Sequence, residues 1–349
     1  MSGSTAVSRS PLAPFGVAGL ELKAACIALL LLGLGACQFA HADRSAVTVF
    51  MSPEGSDDAD GRTEASPVKS LKRALESGIA AAGAGATNIT IEVGEGTYKG
   101  QSASIAALPD DVRIVIRPHP SGSKAVFDGG GKGGAWLLVR PPAGGGISIR
   151  DLEISNYVTA ISLAGSRGSD EEPAQPVEGV EIAGNHFTRI GQFAFPRGKP
   201  STAVLRLVNA DKTRIVGNRF FDTGNVNSCE LLHAIYIAHD STENLIEANN
   251  FEKSCGDSIR IRDRSNDNVI RGNTFIDAWA VAPISDWFCN NSLRKLCANH
   301  RTECPSVGNV LAGNKVVARD AKKADLVKSL ERQPNSRCAP DRARKYIEQ

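Results

Sequence analysis

The stretch SIRIRDRSNDNVIRGNTF, from Ser258 to Phe275, is one complete unit of a repeat that runs through the chain. Two earlier windows align with it without gaps: AVLRLVNADKTRIVGN begins at Ala203, and AIYIAHDSTENLIEAN begins at Ala234. Each window ends in Ile-x-x-Asn, and a Phe follows two residues later. Weaker copies occur before and after these three. Self-similarity at a period of this size indicates a solenoid built from stacked units.

The repeat unit is built from short alternating apolar runs. Ile259 and Ile261 alternate with charged residues, which is the pattern of a half-buried strand. The shortest unit spans 24 residues, which is too strand-rich for paired helices. We therefore predict an all-β solenoid, a right-handed parallel β-helix whose rungs stack about 4.8 Å apart. We predict an N-terminal capping helix and a short C-terminal helix at its ends.

The asparagine that ends each unit is predicted to be structural. It is expected at a sharp corner, where Asn tolerates the left-handed conformation. Stacked on its neighbours, its amide is expected to form an internal hydrogen-bonded ladder, and the following Phe is expected to stack inside the coil. The predicted ladder comprises Asn185, Asn218, Asn249, Asn273 and Asn314.

The N-terminal part of the chain carries the rest of the resemblance. The block VFMSPEGSDDADGRTEASPVKSLKRALESG is followed by ITIEVGEGTY. With the repeats, over roughly residues 46–316, the chain resembles the right-handed parallel β-helix superfamily of pectate lyases and related polysaccharide-active proteins. That resemblance implies a first strand and a helix that caps the coil. Ser66 is a good N-cap and Pro67 suits the first helical position, so we expect the helix to begin there.

The first residues predict export. Lys23 precedes the apolar run Ala24–Ala36, which suits a signal peptide better than a membrane span. We predict a signal peptide over residues 1–42, cleaved after AHA. The alternative is LGAC as a lipobox, with Cys37 lipidated. The protein is expected to be periplasmic or secreted, or else an outer-membrane lipoprotein, and no other segment is expected to reach a membrane.

Six cysteines follow the signal region and are expected to form disulfides, because their spacing matches no usual zinc module. They are Cys229, Cys255, Cys289, Cys297, Cys304 and Cys338. Cys229 and Cys255 precede the same sheet on consecutive rungs, so we predict that they pair. The other four are expected to brace a loop insertion, residues 279–308, within a β-helix spanning 43–316. Cys338 is expected to tie a helical tail, residues 317–349, to that insertion.

The candidate catalytic residues lie on one outer sheet. Because side chains alternate, Arg260 and Arg262 point outward, and Tyr236 is their neighbour one rung earlier. His233 and His239 lie in the turns that flank Tyr236. One rung earlier still, the ungapped alignment places Arg206 inward, which requires a slip or bend there.

Four further residues are predicted to bind substrate. Glu230 and Asp257 lie in turns that lead into the same sheet. Asp286 and Trp287 belong to the insertion and are expected to form one wall of a groove. Planar guanidiniums grip uronate carboxylates well, so an acidic polysaccharide is the expected partner.

The arginines favour β-elimination on a uronate polymer. A lyase needs a cation on the carboxylate, a base for the adjacent C–H and an acid for the leaving oxygen. Arg260 or Arg262 suits the arginine role of the alginate lyase and chondroitinase B family, but the preceding rung has no Lys. His233 and Arg260 match the GHG and RIK motifs of polygalacturonases, whose paired aspartates are missing from STAVLRLVNAD. A uronate C5-epimerase, a glycoside hydrolase and a non-catalytic glycan-binding or envelope protein remain alternatives.

No metal or other cofactor is predicted from the residues. The stretch DDADG, Asp57 to Gly61, lacks the ligand pattern of an EF-hand loop and is interpreted as a turn. Calcium remains an alternative because the chain resembles pectate lyases, although their calcium acids cannot be placed here. The net charge of +2 gives no nucleic-acid signal, and we expect a monomer.

Overall fold

The computed structural model describes most of the chain after the predicted signal peptide. The described residues are 46–120, 124–130, 134–143, 146–168, 172–191, 200–298, 301–318, 325–331, 333, 335–338 and 346–348. The predicted signal peptide and the lipobox at Cys37 lie outside them. Within the described residues, no helix is long and apolar enough to cross a membrane.

The chain winds through three parallel sheets, here named A, B and C, and each rung passes through C, then A, then B. Sheet A contains Ala46–Met51, Asn88–Val93, Arg113–Pro118, Ile147–Arg150, Val180–Ala183, Arg214–Val216, Leu245–Glu247, Val269–Arg271, Asn309–Ala312 and Tyr346–Glu348. Sheet B contains Gly96–Lys99, Ala125–Asp128, Glu153–Ser155, His186–Thr188, Arg219–Thr223, Asn250–Ser254, Thr274–Ile276 and Lys315–Val317. Sheet C contains Ala103–Ile105, Ala135–Val139, Thr159–Ala164, Ala203–Val208, His233–Ala238, Ile259–Arg262, Ile284–Trp287 and Val327–Ser329. A short pair, Val177–Glu178 and Ala210–Asp211, lies apart from them. The predicted parallel β-helix is confirmed.

One α-helix, Leu71–Gly83, caps the N-terminal end of the described coil. Leu71, Ala74 and Leu75 are buried against the first strands, as the apolar spacing predicts. The helix begins later than expected: Ser70, not Ser66, is the N-cap, and its side chain accepts a hydrogen bond from the backbone N–H of Arg73. Two single-turn 3-10 helices, Cys229–Leu231 and Lys295–Cys297, lie in loops.

The asparagine ladder is confirmed. From Asn218 onward, each side-chain oxygen accepts the backbone N–H of the asparagine one rung earlier, at 2.9–3.0 Å, and the oxygen of Asn185 accepts the backbone N–H of Leu152. Each amide nitrogen donates to the next asparagine where there is one, and to a main-chain oxygen of the preceding rung. The expected left-handed conformation is wrong for the asparagines themselves. It belongs to the residue before each one: Gly184, Gly217, Ala248, Gly272 and Gly313.

A second ladder runs through the corner between sheets C and A. Asn244, Asn268 and Asn309 repeat the same bonds, with Thr213 at the earlier end. Its members stand five positions before those of the first ladder, so the signal was present in the repeat. Two polar ladders therefore fix two corners of every rung in this part of the coil.

The phenylalanines stack inside the coil as predicted. Rings of Phe187, Phe220, Phe251 and Phe275 lie 4.8–5.1 Å apart, centroid to centroid, and all are fully buried. Stacked aromatic rings and aliphatic columns fill the interior at the close spacing that parallel rungs impose.

The C-terminal tail departs from the prediction. Where the structure describes it, the tail forms strands and not a helix: Val327–Ser329 joins sheet C, and Tyr346–Glu348 joins sheet A. The unpaired edge of the last rung explains this, because a strand satisfies its backbone groups and a helix would not.

Three disulfides form among the six cysteines. Cys229 pairs with Cys255, as predicted, and Cys289 pairs with Cys297 inside the insertion. Cys304 pairs with Cys338, which confirms that the tail is tied to the insertion.

Candidate functional site

The outer face of sheet C presents a column of polar side chains on successive rungs. Strand register places Ser162, Arg206, Tyr236, Arg260 and Ser285 in line. Neighbouring members are one rung, about 4.8 Å, apart. Beside this column, Arg262 and Trp287 occupy a second outward column.

Arg206 belongs to the outer column, so the expectation that it points inward is wrong. Ala203 pairs with His233, not with Ala234. The segment from this strand to Asn218 is one residue shorter than in the following rungs, so an ungapped alignment ending at the asparagine shifts the strand by one. A one-residue shift moves every side chain of a strand to the opposite face.

Arg206 is the one arginine of this face whose guanidinium forms no hydrogen bond or ion pair with the residues that the structure describes. It is half-buried. Burial lowers its pKa, and the adjacent Tyr236 partly opposes that change. A partly desolvated cation without an anion is costly unless a ligand supplies one.

Arg260 is tied down on two sides. Its Nε donates to Ser285 Oγ at 2.8 Å, and its Nη2 donates to Asp257 Oδ2 at 3.3 Å. Asp257 does not reach substrate as predicted, because it is 1% exposed. Its Oδ1 accepts three backbone N–H groups, from residues 280–282, and so shapes the loop beside Arg260. Burial would raise the pKa of Asp257, but these hydrogen bonds, one from Ser285 and the charge of Arg260 hold it below its usual value.

Arg262 is the most heavily bonded of the three arginines. Its Nε and Nη2 grip the two oxygens of Glu303, at 2.8 and 2.7 Å, and its Nη1 donates to Tyr236 Oη at 2.9 Å. The ring of Trp287 lies 4.4 Å from its Cζ, a cation–π contact. Burial alone would lower the pKa of Arg262, but Glu303 and Tyr236 outweigh it and raise the pKa.

His233 is buried at the edge of the face where the strands begin, as the first residue of the strand His233–Ala238. Its Nδ1 lies 2.9 Å from the main-chain oxygen of Asp257. Because a carbonyl only accepts, Nδ1 carries the proton and Nε2 carries the lone pair. Burial, followed by the charge of Arg260, lowers the pKa of His233 to about 3. The imidazole is thus neutral, and it stacks beside the ring of Tyr236 at 6.0 Å.

His239 lies at the opposite edge and faces a cluster of ions. Its Nδ1 is 3.0 Å from Asp263 Oδ2, and the same carboxylate accepts hydrogen bonds from Arg167 and Arg264 at 2.7 Å. Asp263 is completely buried. His239 therefore belongs to an ion cluster at this edge, where Asp263 is its partner.

His239, Asp263 and Glu303 place their ligand atoms within 4.8 Å of one another, which is the spacing of a cation site. The donor set does not fit calcium. Both carboxylates already accept guanidinium and backbone N–H groups: Asp263 from Arg167 and Arg264, and Glu303 from Arg262. A cation here would have to displace these charges, so we derive no step through a metal.

The predicted insertion, residues 279–308, is not a loop throughout, because Ile284–Trp287 is a strand of sheet C, and the loop that follows this strand contacts the edge of the face where the strands end. Arg301 donates to the main-chain oxygens of Arg167 and Gly168, and the backbone N–H of Cys304 donates to Asp263. Trp287 faces the site, but Asp286 does not. Asp286 pairs in register with the inward Ile261 and is 3% exposed, so its expected place in the wall is wrong.

The remaining residue predicted to bind substrate, Glu230, is exposed in the loop that precedes the strand His233–Ala238, next to the Cys229–Cys255 disulfide. The structure therefore brings together Tyr236, Arg260, Arg262, His233 and Trp287. Sequence reasoning missed Arg206 and Glu303. A gap of one residue in the alignment would have recovered Arg206. No repeat signal marks Glu303, because it lies in the insertion.

No protein-family model matches this chain, and no curated protein is similar to it in sequence. Its fold is similar to solved structures. The crystal structure of an alginate lyase from Paenibacillus sp. str. FPU-7 aligns over 82% of this chain and 91% of its own, with 14% identity and a TM-score of 0.52. This likeness shows the fold, a parallel β-helix.

Two further solved structures share less of the geometry. A rhamnogalacturonan lyase covers 81% of this chain and 86% of its own, with 10% identity and a TM-score of 0.43. Pectate lyase Pel9A covers 82% and 74%, with 11% identity and a TM-score of 0.41. The function must therefore be argued from the side chains of this chain.

Proposed function

We propose that this protein is a polysaccharide lyase that cleaves a uronate-containing polymer by β-elimination on the outer face of sheet C. The observation that carries the proposal is the half-buried Arg206, which has no anionic partner among the described residues, directly beside Tyr236. A uronate carboxylate supplies the missing anion and matches the guanidinium bidentately.

Arg206 would make the reacting C–H acidic. Pairing the carboxylate with a guanidinium stabilises the negative charge that develops when the proton at C5 leaves. Arg260 flanks Tyr236 on the other side, one rung further along, and remains 14% exposed. Its bonds to Asp257 and Ser285 fix it in place, so it suits a positioning contact with a neighbouring sugar.

Tyr236 would move the proton. Tyr236 lies between Arg206 and Arg260 on successive rungs, and its oxygen accepts a hydrogen bond from Arg262 Nη1, so the proposed base is a phenolate surrounded by three guanidiniums. It would take the C5 proton, the C4–O bond would break as the C4=C5 double bond forms, and the new phenol would return the proton to the leaving oxygen. One residue performs both transfers when both occur on the same face of the sugar.

Hydrolysis has less support. It needs two carboxyl groups that face one groove. The three carboxylates nearest the face are buried and already accept hydrogen bonds from backbone N–H groups or arginines: Asp257, Asp263 and Glu303. Asp240 is half-buried, and its pKa is raised by burial and then by the charge of Asp263, but Asp263 has no accessible oxygen to act with it.

The test compares purified wild-type protein with Arg206→Gln, on pectate, alginate, hyaluronan, chondroitin and heparin. The ultraviolet absorbance of the unsaturated uronate product reports elimination. We expect a rise on one polymer, and a fall in kcat/KM of about 10²- to 10³-fold in Arg206→Gln. The melting temperature should not fall, because the guanidinium stabilises no described neighbour. Tyr236→Phe should lose elimination while retaining binding.

Arg214→Gln is the matched control. Arg214 lies on the same rung, but it is exposed on sheet A. It should retain full activity. A wild-type protein that gives no absorbance on any polymer would overturn the lyase assignment, and proton NMR of the polymers would then show whether C5 is inverted instead.

A further inference from the structure

We propose that Glu303 is a positioning residue: it orients the hydroxyl of Tyr236 through Arg262 and leaves Arg206 as the site for the substrate carboxylate. This inference rests on the proposed function. It makes the loop between Trp287 and Asn309, which follows a strand of sheet C, part of the proposed site.

The geometry of Arg262 carries the first step. A guanidinium is planar and its N–H groups point in fixed directions. Glu303 occupies Nε and Nη2, so the direction of Nη1 is fixed, and Nη1 donates to Tyr236 Oη at 2.9 Å. Trp287 packs on the flat face of the same group. The Tyr236 oxygen is therefore held from a point 41 residues further along the chain than Arg262.

Glu303 is itself held firmly. It is 2% exposed, and its Oε2 accepts the backbone N–H of Cys289 at 2.8 Å. Its main-chain oxygen accepts Asn335 Nδ2 at 2.9 Å. Its chain neighbour Cys304 is bonded to Cys338. A carboxylate fixed by the insertion and by the tail provides the rigid support that a reacting group needs.

Charge gives Glu303 its second effect. Bound bidentately, it neutralises Arg262, whereas Arg206 on the same face has no such partner among the described residues. Without Glu303, two guanidiniums would compete for one substrate carboxylate. The polymer would still bind, but part of it would bind away from Arg206, with the C5 proton out of reach of Tyr236.

The test is Glu303→Gln, which keeps the size of the side chain and removes its charge. We expect kcat to fall about 10²-fold, because misplacement of a reacting group by about 1 Å costs that much. The dissociation constant for a uronate oligomer should stay the same or decrease. This split between turnover and affinity is not expected from a general loss of structure.

Glu331→Gln is the matched control. Glu331 is also buried, at 4% exposed, and its Oε2 accepts Arg294 Nε at 2.9 Å, which joins the insertion to the tail just after the last strand of sheet C, three rungs beyond Tyr236. It should leave kcat and affinity unchanged. In Arg262→Met, which removes the relay itself, adding Glu303→Gln should have no further effect on kcat.

A second readout separates this inference from the proposed function. NMR of protein with 13Cζ-labelled tyrosine, with the Tyr236 signal assigned by Tyr236→Phe, reports the environment of that hydroxyl without any turnover. We expect the signal to move in Glu303→Gln and not in Glu331→Gln. If the wild type cleaves no polymer but the Tyr236 signal moves in Glu303→Gln, the proposed lyase activity is wrong and the positioning role of Glu303 stands. An unmoved signal, or kcat within about twofold of wild type, overturns the positioning role.

Discussion

The asparagine corner and the outer face of sheet C are both rows of polar side chains on consecutive rungs, but they are organised in opposite ways. At the corner, five consecutive rungs carry the same residue, and Asn249 uses both its amide oxygen and its amide nitrogen within the ladder. On the outer face, the residue changes at each rung, and Arg206 has no hydrogen-bonded partner among the described residues.

The difference supports a structural role for the corner and the proposed functional role for the outer face. A buried polar group that repeats and is fully hydrogen-bonded stabilises the coil, and it has nothing left to offer a ligand. A polar group that is partly desolvated and incompletely paired is costly to the fold, and such groups concentrate at functional sites.

Removing one member of the corner ladder should give the largest effect on stability. Asn249→Ala leaves the backbone N–H of Asn218 and the main-chain oxygen of Ile215 without their partners inside the core. We expect the free energy of unfolding to fall by about 2–5 kcal/mol. Denaturant titration measures this, and activity per folded molecule should not change.

The control is the next residue in the chain. Asn250 points outward, and its side chain forms no hydrogen bond with the described part of the chain. Asn250→Ala should change stability by less than about 0.5 kcal/mol. Equal losses in the two variants would show that the corner ladder is not the stabilising element.

The comparison also explains what could be predicted from sequence. The fold, the ladder, the phenylalanine stack and the Cys229–Cys255 pair follow from residues that recur at fixed offsets, so neighbouring copies support each prediction. The residues of the site occur once each. Arg260 and Arg262 are predicted to point outward because they fill the polar positions of an alternating strand, but which arginine lacks a partner depends on residues that are distant in sequence.

The predicted positions of Arg206 and Asp286 are wrong for different physical reasons. Arg206 was placed on the wrong face because one residue is missing from a corner, and a strand has a period of two. Asp286 was placed in the wall because a charged residue is rarely buried. Inside the last rungs it instead accepts hydrogen bonds from Tyr346 Oη and Ser329 Oγ, which belong to the tail.

His233 should give the next largest effect, and one that depends on pH. Its pKa is 6.5 when unfolded and about 3 when folded. Well above pH 6.5, His233 is unprotonated in both the folded and the unfolded protein, so it does not make the free energy of unfolding depend on pH. As the pH falls from 6.5 towards 3, only the unfolded state gains the proton, and the free energy of unfolding should fall by up to about 1.4 kcal/mol per pH unit.

His233→Asn checks this assignment, because its amide is able to donate to the Asp257 main-chain oxygen without titrating. The difference in unfolding free energy between wild type and variant should change steadily between pH 6.5 and 4, and should be constant above pH 7.5. Parallel pH profiles for the two proteins would mean that His233 is accessible to protons when folded, and would place it with the functional groups of the face.

The smallest effect is expected at the residue that precedes each corner asparagine. Ala248 has φ of 54°, where a Cβ is strained, while Gly272 occupies the equivalent position one rung later with φ of 62°. Both residues are exposed, and a Cβ on Gly272 would meet nothing closer than 4.0 Å. Ala248→Gly should therefore stabilise the protein, and Gly272→Ala should destabilise it, each by about 1 kcal/mol or less, because the strain exceeds the chain entropy that glycine adds. Thermal melts of the two variants measure both stability changes. Changes of opposite sign, with unchanged turnover, would show that the stability of the corner can be altered without affecting the outer face. Destabilisation by both would instead mean that the alanine methyl group stabilises its corner despite the strain.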